Sequence, residues 1–137
     1  MESQSNAEKL RQVYARWNES KGTDLSMWDD YATDDLCIRS LGEGQDGIRF
    51  SATRNGRAQL RAYLEDLTQA YALEHWTLKE TVSDGDGVIA LADTGWTHRD
   101  SGKTFEAAVA IICRFRDGKV YDYQEFYDTD AFAAVPA

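Results

Sequence analysis

The sequence has few of the residue types on which several kinds of protein depend. Its two cysteines, Cys37 and Cys113, are too few for a disulfide framework, and both sit in apolar runs, so we expect buried free thiols. Two isolated histidines and no cysteine pair give no metal-binding motif. No window approaches the roughly 20 apolar residues of a membrane-spanning helix, and the polar first residues do not resemble a signal peptide. We therefore expect a cytoplasmic protein with no metal, cofactor or membrane association.

Basic residues are also in the minority. The 137 residues include 15 Lys and Arg against 24 Asp and Glu, which gives a net charge of −9. Nucleic acids and anionic membranes require a basic surface, so neither is an expected partner. A small acidic substrate stays open, because a single arginine could hold it. With 42% hydrophobic residues and four tryptophans, the chain is expected to form one domain with a substantial core, residues 1–137.

The order of sequence patterns predicts an α+β fold. Apolar residues recur at helical spacing in 6–20 and 57–72, and Asp24 could cap a short helix over 24–32. Alternating patterns separated by Gly-containing turns follow. The predicted strands are 36–41, 74–82, 88–98, 104–116 and 119–127, with a long loop at 42–56 and a last short helix at 128–135 that Asp128 or Thr129 caps.

The strand at 104–116 indicates how the sheet is buried. Its residues from Phe105 to Phe115 at every second position are apolar, so they are expected to face the helices. The other face is polar at its ends and small and apolar in the middle, a surface that a monomer would not normally expose. We expect it to form a homodimer interface through Ala108, Ala110, Ile112 and Phe126.

One strand carries an acid among tyrosines. In "VYDYQEFYDTD", residues 120–130, a period of two places Tyr121, Tyr123, Glu125 and Tyr127 on one face. If that face meets water, Glu125 has no special chemistry. If it meets a cavity, Glu125 is the most reactive group to be expected in the chain.

Three segments carry a resemblance to a known family: "YATDDLCIR" (31–39), "RNGRAQLRAYLEDL" (54–67) and "FRDGKVYDYQEFYDT" (115–129). Over residues 7–133 the chain resembles the nuclear transport factor 2-like superfamily, in the branch of ketosteroid isomerase and SnoaL-like polyketide cyclases. The resemblance implies a cone-shaped, curved antiparallel sheet, mixed at one edge, wrapped on three N-terminal helices around an open-ended pocket. Members are commonly dimers, and they include isomerases, cyclases, dehydratases, epoxide hydrolases and proteins without known activity, so the fold does not name the chemistry.

The catalytic residues of ketosteroid isomerase do not carry over. At the positions that match its base, its acidic donor and its tyrosine, this sequence has Arg39, Ile111 and Val13. We therefore reject ketosteroid isomerisation as the reaction.

The resemblance places a different set of residues in the pocket. It implies that Tyr123, Glu125, Tyr127 and Arg39 point inward, and the hairpin at 99–103 adds Trp96 and His98. The expected catalytic residues are Glu125, His98 and Arg39, and the expected substrate-binding residues are Tyr123, Tyr127, Trp96, Ile111, Val109 and Trp28.

Several interpretations of these residues remain open. Glu125 could be a general acid or base, could form an ion pair with Arg39 inside the cone, or could lie at a wet mouth. His98 could shuttle protons or simply lie on the rim, and the tyrosines could donate hydrogen bonds or only form the wall. We expect a cofactor-independent enzyme doing acid–base chemistry on a small, partly apolar molecule, of isomerase, cyclase, dehydratase or hydrolase type. The alternatives are a non-catalytic ligand-binding module and a dimeric accessory protein.

Overall fold

The described part of the chain contains two helices and six strands. The computed structural model describes residues 5–26, 28–40 and 54–127. The elements are α1 (Asn6–Ser20), β1 (Ala32–Ser40), β2 (Arg54–Asn55), α2 (Gly56–Ala70), β3 (Tyr71–Asp84), β4 (Gly87–His98), β5 (Thr104–Arg116) and β6 (Lys119–Tyr127). The predicted helix at 128–135, its cap, and most of the 42–56 loop lie outside the described residues.

The strands form one mixed sheet in the order β2-β1-β6-β5-β4-β3. β1 runs parallel to β6, and every other neighbouring pair is antiparallel. α1 packs on β3 and α2 packs on β1, so the helices cover the inner face of the sheet from opposite edges. This arrangement confirms the expected α+β class and the sheet that is mixed at one edge.

The alternating pattern of β5 separates the two faces as expected. Every second residue from Ala107 to Phe115 is buried, whereas Glu106, Ala108 and Arg114 are exposed. The hydrophobic core therefore lies between this inner face and the helices. Cys113 is a buried free thiol in it, while Cys37 is also free but only half-buried.

Helix α1 forms because its apolar residues share one stripe. Leu10, Val13, Tyr14 and Trp17 are all buried. Its N-cap is Ser5, and the Ser5 side chain accepts a hydrogen bond from the Glu8 amide at 3.1 Å. The helix ends at Ser20 because the next two residues adopt the left-handed conformation.

The short helix predicted over 24–32 is wrong, so the described residues contain two helices, not three. The described residues of this segment form turns. Asp24 does not cap a helix, because its carboxylate accepts from the amide and hydroxyl of Ser26 and from Arg16. These local bonds satisfy the turn without a helical continuation. Trp28 is nevertheless buried under the sheet.

Shifts in strand register change which side chains face inward. In β6 the pairing with β5 slips at Tyr121, so Val120 and Tyr123 are both buried. The expectation that Tyr121 shares a face with Tyr123 is therefore wrong, and Arg116 covers the Tyr121 ring instead. On β3 the pairing with β4 skips Glu74 and Lys79.

Neither of the described helices is long and apolar enough to cross a membrane.

A hydrogen bond from the sheet to Asn18 connects α1 to the edge strand. β3 is an edge strand, and the Asn18 Oδ1 atom accepts the backbone N–H of Trp76 at 2.8 Å. We expect Asn18→Ala to lower the free energy of unfolding by about 1–2 kcal/mol, because it leaves this partly buried N–H without its acceptor. Urea denaturation measures the change. Asn18→Asp keeps an acceptor oxygen and is the control, so equal losses in the two variants would contradict the assignment.

Candidate functional site

A cavity lies between the helices and the inner face of the sheet. Its volume is about 40 Å³, which is room for about three water molecules. Fourteen described residues line it, eight of them aromatic and one charged. They are Tyr14, Trp17, Trp28, Ile38, Leu60, Tyr63, Leu64, Leu67, Trp76, Trp96, Val109, Tyr123, Glu125 and Tyr127. All four tryptophans of the chain are in this wall.

Glu125 is the charged residue of the wall. Its position on β6 puts it on the inner face between Tyr123 and Tyr127, and its side chain is buried. The Tyr63 hydroxyl on α2 donates a hydrogen bond to Glu125 Oε1. The Ser40 hydroxyl at the end of β1, the residue that pairs with Glu125 across the parallel ladder, also bonds to this carboxyl group. Three separate elements thus meet at one carboxyl.

Burial raises the pKa of Glu125 from its usual 4.5 to about 7. Desolvation is the main cause, and the hydrogen bonds from Tyr63 and Ser40 oppose it by favouring the carboxylate. Among the described residues no lysine or arginine lines the cavity, so no nearby cation there restores an ordinary acidity. A carboxyl group with such a pKa can accept or donate a proton near neutral pH.

Ser40 also connects Glu125 to Tyr127. The two hydroxyl groups of Ser40 and Tyr127 are in hydrogen-bond contact. Because a serine hydroxyl has one proton, a bond from Ser40 to the Glu125 carboxylate requires Tyr127 to donate to Ser40. The resulting order, Tyr127 to Ser40 to Glu125, forms a short hydrogen-bonded chain along the inner face.

A second hydroxyl pair lies on the other side of Glu125 in the sequence. The oxygens of Tyr14 on α1 and Tyr123 on β6 are 3.0 Å apart. Burial raises the pKa of both phenols well above 10.0, with the charge of Glu125 a smaller cause in each. Both therefore remain protonated at neutral pH. One hydroxyl donates to the other, which leaves one proton of the pair available for a further hydrogen bond.

The aromatic rings around this pair have defined orientations. Tyr14 stacks on Trp76 with ring centroids 4.9 Å apart. Trp28 stands nearly perpendicular to both tyrosines, at 85° to Tyr14 and 83° to Tyr123. The wall therefore combines stacked and perpendicular ring contacts.

Most of the expected pocket residues do come together. Glu125, Tyr123, Tyr127, Trp96, Val109 and Trp28 all line the cavity. Ile111 is fully buried in the core and is not one of the described lining residues. The alternative that Glu125 lies at a wet mouth of the pocket is wrong, because the exposed fraction of Glu125 is 9%.

The expected inward orientation of Arg39 is wrong. In the parallel pairing of β1 with β6, Ile38 lies beside Tyr123 and Ser40 beside Glu125, and these positions are buried. Arg39 therefore faces outward, where it forms an ion pair with Asp122 at 2.9 Å. The alternative of an Arg39–Glu125 ion pair inside the cone is contradicted, and Glu125 has hydroxyl partners instead.

His98 lies at the end of β4 and is not among the described lining residues. Its Nδ1 atom is 2.9 Å from the Ser101 hydroxyl of the following turn, and its ring meets the edge of Tyr71. These contacts favour the rim interpretation over a proton shuttle at Glu125. His75 also lies outside the described wall, 2.9 Å from the Glu106 carboxylate on the outer surface.

Sequence reasoning missed Tyr14, Tyr63 and Ser40. The two tyrosines belong to helical stripes that were read only as core. A buried tyrosine needs a hydrogen-bond partner for its hydroxyl, so two such residues on the inner faces of helices were a usable signal. Ser40 gives no comparable signal. Among the described residues, no group of three or more His, Cys, Asp or Glu is placed to hold a metal ion.

Comparisons with known proteins agree on the fold. A family model for a SnoaL-like domain matches residues 10–123. A search of curated proteins returned no match. The fold resembles a nuclear transport factor 2-like protein from Burkholderia xenovorans LB400, with a TM-score of 0.80 and 21% identity over 100% of this chain and 99% of that chain.

Two further solved structures are similar. One is a protein from Catenulispora acidiphila with a ketosteroid isomerase-like fold, in complex with trimethylamine, with a TM-score of 0.78 and 19% identity over 95% of this chain and 92% of that chain. The other is IdmH from Streptomyces antibioticus, provisionally called a polyketide cyclase, with a TM-score of 0.74 and 18% identity over 97% of this chain and 99% of that chain. At these identities the likeness shows the fold alone.

The raised pKa of Glu125 predicts how stability depends on pH. Between about pH 4.5 and pH 7 the folded protein binds more protons at this group than the unfolded chain does, so rising pH lowers its contribution to the free energy of unfolding. Relative to Glu125→Gln, the wild type should lose about 3 kcal/mol across this interval and then remain level. Urea denaturation of both proteins at several pH values measures the difference. A difference that does not change with pH would contradict the raised pKa.

Proposed function

The chain belongs to the SnoaL-like domain family, and from that premise we propose that it is a cofactor-independent enzyme that uses Glu125 for acid–base chemistry on a small, partly apolar molecule. The observation that carries the proposal is a carboxyl group buried in a cavity, with hydroxyl partners and, among the described lining residues, no cation. Such a group is half ionised near neutral pH and serves equally as a proton acceptor and a proton donor.

The reaction class that suits this site is proton transfer at carbon next to a carbonyl group. Glu125 takes the proton as a carboxylate and returns it to another atom of the same molecule. The negative charge that develops on the carbonyl oxygen needs a donor, and the protonated Tyr14–Tyr123 pair is the group proposed for it. Isomerisation, aldol-type cyclisation and dehydration all contain this step.

Tyr63 and Ser40 are proposed as positioning residues. They bond to the Glu125 carboxyl group and would act on the substrate only through it. Ketosteroid isomerisation is not proposed, because none of the buried positions of β1 carries a carboxyl group; they are Ala32, Leu36, Ile38 and Ser40.

The neighbours of similar fold support this direction without deciding it. IdmH is provisionally called a polyketide cyclase, and the Catenulispora acidiphila protein holds the small molecule trimethylamine. The cavity of about 40 Å³ favours a small molecule here as well.

Exchange of carbon-bound hydrogen for deuterium tests the proposed step without knowledge of the natural substrate. In D₂O, the protein should accelerate exchange at the carbons next to the carbonyl group of small ketones such as butanone, followed by ¹H NMR. The rate should rise with pH through about 7 and then level off, because the carboxylate is the base. Glu125→Gln should lower it by about 100-fold or more.

The matched control is Glu19→Gln, which removes an exposed carboxylate on α1 and should leave the rate unchanged. Exchange at the full rate in Glu125→Gln would contradict the assignment of Glu125 as the base.

We also propose a homodimer through the outer face of the sheet. Leu91, Ala110 and Phe126 are register partners on three neighbouring strands, and Ile89 and Ile112 form the next row, with Ile89 exposed. Along β5, exposed Glu106 lies at one end of this apolar patch and exposed Arg114 at the other. A two-fold axis near Ala110 that crosses two β5 strands in opposite directions brings the acidic end of one copy to the basic end of the other. This complementarity favours a second copy of the chain as the occupant.

Ala110→Glu should break this dimer, because it places two like charges near the axis in an apolar interface. Sedimentation velocity should show the wild type as a dimer and the variant as a monomer. Thr81→Glu on β3, away from the patch, is the control and should remain dimeric. A wild-type monomer, or an Ala110→Glu dimer, would contradict the interface.

A further inference from the structure

The described residues of the cavity wall can carry a negative charge but no positive charge. Glu125 is its only ionisable acid with a pKa near neutrality, and no arginine, lysine or histidine is among the described lining residues. The partners of its carboxyl group, Tyr63 and Ser40, are neutral hydroxyls. When Glu125 is ionised, its charge is therefore not balanced by a described side chain of the cavity, and a buried charge without a counter-charge is costly.

The aromatic part of the wall is also suited to a positively charged ligand. Eight aromatic side chains surround the cavity, and the faces of such rings carry the negative end of the ring quadrupole. Trp28 stands nearly perpendicular to Tyr14 and Tyr123, so the rings of the wall lie in more than one orientation. Alkylated ammonium groups are bound in proteins by aromatic surfaces of this kind.

The size of the cavity and the charge of the chain agree with a small cation. A volume of about 40 Å³ holds about three water molecules, which together occupy about as much space as a molecule of four or five non-hydrogen atoms. The net charge of −9 raises the concentration of cations near the surface. An anionic ligand would meet Glu125 without a described basic partner, and a neutral ligand would leave the ionised carboxyl unbalanced.

We propose that the cavity binds a small alkylammonium ion, with the Glu125 carboxylate as its counter-ion and the aromatic rings of the cavity as its walls. This inference rests on the proposed function in one respect, the placement of Glu125 as the ionisable group of the site. It adds the chemical class of the ligand: the substrate, or a part of it, carries a substituted amine that is positively charged at neutral pH.

Tetramethylammonium and tert-butanol form a matched pair of probes. They have the same number of non-hydrogen atoms and a similar shape, but only the first is charged, and its charge does not depend on pH. All four tryptophans line the cavity, so intrinsic fluorescence reports binding directly. Titrations are made at about pH 5.5 and about pH 8.5, at constant ionic strength.

Tetramethylammonium should bind about 30-fold more tightly at the higher pH, because the ionised fraction of a carboxyl with a pKa of about 7 changes by about that factor between the two values. At the higher pH, tert-butanol should bind more weakly than tetramethylammonium. The affinity of tert-butanol should not depend on pH in this way. Glu125→Gln should abolish the pH dependence for tetramethylammonium, whereas Glu19→Gln should keep it.

Equal binding of the two probes, or no saturable binding of tetramethylammonium at about pH 8.5, would overturn the proposal. If Glu125→Gln does not fold, the comparison of the two probes at two pH values in the wild-type protein still decides it. If tetramethylammonium does not bind but ketone exchange depends on Glu125, only the proposed ligand class is contradicted. If tetramethylammonium binds but the protein does not accelerate ketone exchange, the ligand class is supported and the proposed enzymatic activity is contradicted.

Discussion

The hydrogen bonds from Tyr63 and Ser40 to Glu125 are the interaction on which the site depends. They bring α2, β1 and β6 to one carboxyl group at the inner face of the sheet. Burial makes the ionised form of that group costly, and the two hydroxyls recover part of the cost without supplying a positive charge. The balance between these effects raises the pKa of Glu125 to about 7 and leaves the group able to exchange protons in a cavity from which bulk water is largely excluded.

The same balance connects stability with function. An apolar residue at position 125 would fill the core at no electrostatic cost, so the ionised carboxylate is a local weakness of the fold. Stability must therefore come from elsewhere, and the packed aromatic residues around the cavity, such as Trp28 on Tyr14 and Tyr123, provide it. A site whose charge is unbalanced within the protein is one that a ligand of opposite charge can complete.

Much of this arrangement could be predicted from the sequence, because it depends on the regular spacing of apolar residues within single strands and helices. The alternation in β5 and β6 identified the inner face and placed Glu125 between two tyrosines, and the family resemblance supplied the pocket beneath it. The failures at the candidate site depended on pairing between distant segments. Arg39 faces outward because of the parallel register of β1 on β6, and Tyr121 leaves the inner face at a slip in register. Tyr63 was visible as a buried helix position, but its partner lies 62 residues away.

The most direct test of the central claim is the pKa of Glu125 itself. The ¹³C chemical shift of its side-chain carboxyl carbon, assigned by its loss in Glu125→Gln, can be followed by NMR from about pH 3 to about pH 9. The account predicts a midpoint at about 7, well above the usual value of 4.5. A midpoint at or below that usual value would show that the carboxyl is solvated or paired with a cation, and would contradict the account.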